Sequence, residues 1–231
     1  MKKILTLSLI LTIFAFTKAQ DFLSPFDAIA PKKLSYVTDA SGNETAGYIK
    51  SVVRVKGLIT DLNMKLEDGS KKTVSSASVE YAFLPQNKLE KFGSNMSFAK
   101  DATRWGQKQV DRVKDGYAYF EKTQIELKKG TETTLMQLLN PGATVLKAYH
   151  DPFAKETVGF APGGIKVAGG EDKSYYMRKN DGVGYKVSKA NFKENFDKLF
   201  GDCPAFKEKY AKADWGEFEK MVFFYNDNCG K

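Results

Sequence analysis

The side chains that could carry chemistry are few. His150 is the one histidine, and Cys203 and Cys229 are the two cysteines, in 231 residues. A structural zinc site built only from Cys and His needs four ligands, so this set excludes it. His150-Asp151-Pro152 is the one place where imidazole chemistry could be done. A hydrolytic triad there would need a nucleophile and an orienting acid brought up in space, and no serine sits in a G-x-S-x-G turn. A histidine at a strand end reads instead as a hydrogen-bonded turn residue. The glycine-rich stretch holding Gly159, Gly163, Gly164, Gly169 and Gly170 lacks the G-x-x-x-x-G-K-[ST] phosphate cradle and reads as a long flexible loop. Asp61, Asn63 and Lys65 do not make a calcium loop, because the lysine breaks the alternation of oxygen ligands. Two carboxylates for glycoside hydrolysis would meet in space and leave no sequence spacing. Asp61, Glu67, Asp68 and Asp115 all have plain turn or strand-face readings. No nucleophile, metal or cofactor motif is found, no cofactor is expected, and an enzyme is the less supported class.

Cys203 and Cys229 are the most informative pair. They lie too far apart for a C-x-x-C redox motif, and an exported chain permits their oxidation. A structural disulfide is expected, worth about 3–4 kcal/mol in the chain-entropy account. The tyrosines Tyr117, Tyr119, Tyr175 and Tyr176 could form a sugar-stacking platform. The plainer reading is cross-strand packing on a half-buried sheet.

Export is read from the N-terminus. Lys2 and Lys3 precede a mostly apolar run from Ile4 to Phe16, and Thr17 and Ala19 place small residues before a cleavage site ahead of Gln20. The run is shorter than the roughly 20 residues a membrane span needs. No cysteine follows it to carry a lipid, and no later segment is apolar enough to span. The expectation is a periplasmic or secreted chain without a transmembrane segment. Hydrophobic residues at 42% and charged residues at 28% exclude collagen, wholly disordered and multi-span membrane classes.

Loss of Lys2, Lys3 and Lys18 with the leader lowers the formal net charge from +8 to +5. The excess concentrates between Lys88 and Lys129, with ten basic against six acidic residues. Lys108, Arg112 and Lys114 are therefore the candidate polyanion contacts. An acidic glycan or an envelope protein is the expected kind of partner, and export excludes nucleic acid.

Four segments must position these residues: a leader at 1–19, an irregular N-terminal segment at 20–47, a β-rich domain at 48–187 and a helical segment at 188–231. Tyr48 to Ile59 is rich in Val and Ile. Leu62, Met64 and Leu66 alternate with polar residues, the period of a half-buried strand. Asp68-Gly69 then signals a hairpin. Further strands are read at Val79–Phe83, Tyr117–Leu127, Thr133–Leu139 and Thr144–Tyr149, with a hairpin around Asn180-Asp181-Gly182 and a helix near 102–114. From Ser188 the period becomes helical, with Phe192, Phe196, Leu199 and Phe200 on one face. Ser188, or Asn191 with Glu194, can cap that helix, and Gly201 suits a positive φ at its end. Pro204 opens a short helix, and Trp215, Phe218, Val222 and Tyr225 line a last one. Strands followed by helices predict an α+β fold, a mostly antiparallel sheet domain with a two- to three-helix C-terminal segment stapled by the disulfide.

Three stretches carry a resemblance: Gly47-Tyr48-Ile49 leading to Asp68-Gly69; Tyr175 through Val187 into Phe192 and Phe196; and Phe200-Gly201-Asp202-Cys203-Pro204 with Phe224-Tyr225-Asn226 and Cys229. In these the chain resembles a loosely defined group of exported gram-negative bacterial proteins of unknown function. The resemblance implies a β-rich exported domain with a cysteine-bearing helical tail and transfers no site residue. The resulting expectation is a non-enzymatic ligand- or partner-binding module of the cell envelope. The alternatives are a carboxylate-dependent hydrolase of envelope glycans or peptides, and a purely structural envelope component.

Overall fold

The computed structural model of the chain describes residues 22–26, 28–86, 107–154, 156–160, 166–171 and 174–229. The leader with its cleavage site, and Phe92, Phe98, Trp105, Gly163 and Gly164, lie outside the described residues.

Strands β1 (Ser35–Asp39), β2 (Glu44–Val55), β3 (Leu58–Leu66), β5 (Val79–Pro85), β6 (Tyr117–Leu127) and β7 (Gly130–Gln137) pair in the order β2-β1-β5-β6-β7-β3. β2 also pairs with β3 along most of its length, so the six strands close into a ring. The ring is thinnest between β3 and β7, which meet through the single register pair Ile59↔Leu135. β4 (Lys71–Ser75) hangs on β3 outside the ring. Because strand side chains alternate between faces, Val37, Ile49, Leu62, Met64, Ala82, Leu84 and Phe120 fill the interior. Phe26 caps it, edge-on to Phe120 with ring centroids 5.3 Å apart.

Outside the ring, Tyr81, Phe83 and Tyr119 form an aromatic layer. It is covered by Val113 of α1 (Gln107–Lys114) and by Tyr149 and Tyr176. These two tyrosines belong to a second sheet, ordered β12-β11-β8, of β8 (Leu146–His150), β11 (Ser174–Lys179) and β12 (Tyr185–Ser188). The opposite face of that sheet presents Leu146, Ala148, Tyr175, Met177 and Val187 to α2 (Phe192–Phe200), α3 (Pro204–Lys209) and α4 (Phe218–Cys229). Phe200 and Phe206 stack at 4.2 Å, and Trp215 stacks on Phe218 at 4.7 Å. The architecture is thus α+β with mostly antiparallel pairing, and the Cys203–Cys229 disulfide joins the start of α3 to the end of α4.

Several local expectations are corrected. β1 lies within the stretch read as irregular, because Asp39 accepts backbone N–H groups from Ser41 and Asn43 and so builds the β1–β2 turn. The Val- and Ile-rich stretch from Tyr48 to Ile59 is two strands, folded back at Lys56-Gly57, where φ is 48° and 80°. The glycine-rich segment includes β9 (Glu156–Phe160) and β10 (Lys166–Glu171), paired antiparallel rather than looped. Gly201 has φ −66°. Its missing side chain matters for closeness instead, since a Cβ there would stand 2.5 Å from the Asp197 carbonyl oxygen. Asn191 precedes α2 without a side-chain capping bond, because its Oδ1 is taken by the Ser188 N–H at 2.7 Å.

Candidate functional site

The charged side chains divide into those already committed to a partner and those that are not. Lys108 and Arg112 project from α1 and converge on one carboxylate. Glu44 takes Lys108 Nζ at 3.1 Å and the Arg112 guanidinium at 2.6 and 2.9 Å. The Arg112 side chain is only 12% exposed, and its guanidinium carbon lies 3.6 Å from the centre of the Tyr36 ring. The bond from Arg112 holds the Glu44 carboxyl below its ordinary range. Lys114, on the same helix, is exposed. Two of the three expected polyanion contacts therefore meet at Glu44, Arg112 largely covered and Lys108 still 66% exposed.

A second committed group lies between the barrel and the second sheet. Glu121 of β6 accepts Tyr149 Oη at 2.5 Å and Lys147 Nζ at 2.8 Å, both on Oε1. The Glu121 side chain is 13% exposed. Burial, and then the Glu121 charge, push the Tyr119 and Tyr149 hydroxyls well above the usual tyrosine range.

Asp151, beside the lone histidine, is fully buried. Its carboxylate receives Ser174 Oγ at 2.6 Å, Lys186 Nζ at 2.7 Å and the Phe153 N–H at 2.9 Å. These bonds tie the end of β8 to β11 and β12. Serine, aspartate and lysine do meet here, but the serine donates to an oxygen that the lysine already neutralises. The arrangement is a staple between strands rather than a nucleophile with its base. His150 pairs in register with Tyr175, on the face turned toward the helices.

The aromatic residues considered as a sugar platform are dispersed. Tyr119 and Tyr176 are buried between barrel and sheet, Tyr175 is buried under Phe22 and Phe218, and only Tyr117 is half-exposed. They pack; they do not share an open surface. Cys203 and Cys229 are bonded, with Cα atoms 5.8 Å apart, and Cys203 Sγ also accepts the Phe206 N–H that opens α3. Among the described residues no group of three or more His, Cys, Asp or Glu side chains is placed to hold a metal ion.

The open site is on the outer wall of β2 and β3. A groove of about 480 Å³ is lined by Lys32, Tyr48, Lys50, Lys65, Glu67 and Asp68, among others. Three local features build it. The turn from Ala30 to Lys33, closed by a 3.2 Å backbone bond, places Lys32 on one side. The β2–β3 register slips between Ile49 and Ser51, so Lys50 sits in a bulge, and its Nζ comes 5.8 Å from the Tyr48 ring centre. The β3–β4 turn, with Gly69 at φ 89°, supplies Glu67 and Asp68 at the other end.

Tyr48, Lys65 and Lys71 stand side by side across β2, β3 and β4. Two lysines directly opposite on antiparallel strands repel. Lys32, Lys50 and Lys65 form no ion pair among the described residues, a property they share with other surface lysines such as Lys33, Lys71 and Lys114; what distinguishes them is that they line one groove. Sequence reasoning missed this cluster because its lysines come from three separate segments, outside the region richest in positive charge. The only local signal was Tyr48 between alternating strand residues.

No helix among the described residues is long and apolar enough to cross a membrane. Compared with protein-family models, with curated proteins and with solved structures, the chain finds no match in any of the three.

Proposed function

We propose that the chain is an exported, non-enzymatic binding module of the cell envelope, and that its groove on β2 and β3 holds an anionic ligand. The carrying observation is a groove lined together by the half-exposed Tyr48 and by Lys32, Lys50 and Lys65, which form no ion pair among the described residues. What sets these lysines apart is that they line one groove together with an aromatic ring, and the cross-strand pair Lys65–Lys71 adds repulsion that a bound anion would relieve. The disulfide supports an oxidising compartment, in keeping with the leader pattern at residues 1–19. The hydrolase alternative has less support, because Glu44, Glu121 and Asp151 are each engaged by basic or hydroxyl partners.

Heparin serves as a general polyanion probe. Retention at low salt should be lost in a Lys50→Glu/Lys65→Glu variant and little changed in Lys114→Glu. Equal retention of all three proteins, or none by the wild type, would refute the groove as the ligand site. Mass spectrometry of the exported protein should find Gln20 at its N-terminus; a retained Met1 would overturn the exported, leader-cleaved part of the reading.

A further inference from the structure

We infer that the ligand of this groove is a sparsely charged acidic polysaccharide, with uronate or sulfate groups separated by neutral sugars; this rests on the reading of the groove as an anion-binding site. Three properties of the groove narrow the class of anion. The first is its floor. Tyr48 offers an aromatic face beside the lysines, and the C–H face of a pyranose ring stacks on such a surface, whereas inorganic polyphosphate has no apolar face to offer. The second is the choice of cation. Every basic residue lining the groove is a lysine. A lysine is a mobile point charge and lacks the planar fork with which arginine grips phosphate or carboxylate in two bonds. Lysines suit charged groups that recur along a flexible chain.

The third property is the acidic end. Glu67 and Asp68 line the same groove. Asp68 Oδ1 already accepts the N–H and hydroxyl of Ser70 and shapes the turn. Glu67 has no hydrogen bond or ion pair among the described residues. A uniformly dense polyanion would meet repulsion at these carboxylates, whereas a neutral sugar would donate its hydroxyls to them. Adjacent strands lie about 4.8 Å apart, which sets the spacing of Tyr48 and Lys65, and Glu67 follows Lys65 two residues along the chain, about 7 Å away. An acidic sugar over the lysines and a neutral one toward Glu67 match that polarity.

The test compares three probes by calorimetric titration: a polysaccharide with one uronate per disaccharide, fully sulfated heparin, and inorganic polyphosphate. The uronate polymer should bind wild type most tightly relative to its charge density. Tyr48→Ala should weaken it roughly three- to tenfold and leave polyphosphate unchanged, while Tyr48→Phe should restore binding and so exclude a folding defect. Glu67→Gln should weaken the uronate polymer and strengthen polyphosphate. If Lys50→Glu/Lys65→Glu abolishes binding but polyphosphate is preferred and Tyr48→Ala changes nothing, the groove remains an anion site and the polysaccharide assignment falls. If no probe binds wild type, both readings fall.

Discussion

The joint between the two sheets and the groove on the barrel wall use charge in opposite ways. At the joint, Glu121 of β6 accepts from Lys147 and Tyr149 of β8, and within the second sheet beside it Asp151 is fully buried, its carboxylate filled by a lysine, a serine and a backbone N–H. The helical side continues the pattern. Lys179 donates to the Leu199 carbonyl at the end of α2 and to Asp202, and Tyr225 donates to Asp202 at 2.9 Å. Asn226 bonds the backbone of Leu146 in both directions. In the groove, by contrast, three lysines form no ion pair among the described residues, and Glu67 beside them forms none either. Polar groups satisfied inside the protein hold it together; polar groups left open are available to something outside it. Mutations should therefore separate, with the joint controlling stability and the groove controlling binding.

The largest stability effect is expected at Asp151. Replacing it with Ala leaves Lys186 and Ser174 without their buried acceptor and should cost about 3–5 kcal/mol, measured by denaturant unfolding. Groove binding should survive wherever the variant is folded; loss of binding in a folded Asp151→Ala protein would break the separation. Next comes the disulfide. Cys203→Ser/Cys229→Ser should lose about 2–4 kcal/mol while keeping its β-sheet circular dichroism, because the barrel does not share that covalent link. The unreduced wild type should show no reactive thiol after denaturation.

A smaller effect is expected at Glu44, the residue that masks Lys108 and Arg112. Glu44→Ala should cost below about 1 kcal/mol, since the pair is partly exposed and screened by solvent. It should nevertheless return some heparin retention to the Lys50→Glu/Lys65→Glu protein, by uncovering two cations on α1. Acid should act in the same direction. The folded Glu44 pKa is lowered below its ordinary 4.5, first by the bond from Arg112. That stabilisation is present above about pH 4.5 and is lost as pH falls through the lowered value, so heparin retention by the groove-reversed protein should rise in the same window. The smallest stability change is expected from Lys65→Glu alone. It converts the like-charged pair with Lys71 into an opposite one, so stability should be unchanged or rise by a few tenths of a kcal/mol, although binding falls.

Alternation and turn chemistry made much of the barrel legible. Leu62 and Met64 face its interior as their spacing predicts, and Gly69 has the positive φ that Asp68-Gly69 signals. Lys56-Gly57 was not legible as a turn, because lysine at a positive φ lacks the usual Asn, Asp or Gly signature. Closure of the ring was hidden for another reason. The pair Ile59↔Leu135 is long-range, and no local pattern records which strand ends will meet. The groove failed the same way, since Lys32, Lys50 and Lys65 become neighbours only through a turn, a bulge and a register. Charge density along the chain pointed to α1 instead, where Glu44, more than sixty residues from Lys108 and Arg112, accepts from both. The Cys203–Cys229 bond and the amphipathic face of α2 were legible because both are nearly local.

Phe22 adds a constraint of timing. Its ring packs against Tyr175 and Phe218, and its backbone N–H donates to Glu219, 197 residues further along. A chain emerges N-terminus first, so one of the earliest residues of the folded core must wait for one of the latest. Until α4 has appeared, Phe22 has no pocket, and Glu219 no amide to receive. The barrel strands all precede α4 in the chain, whereas the contacts of Phe22 with Phe218 and Glu219 need both ends of it. Loss of either end would remove those contacts and uncover Tyr175 without taking away a single barrel strand.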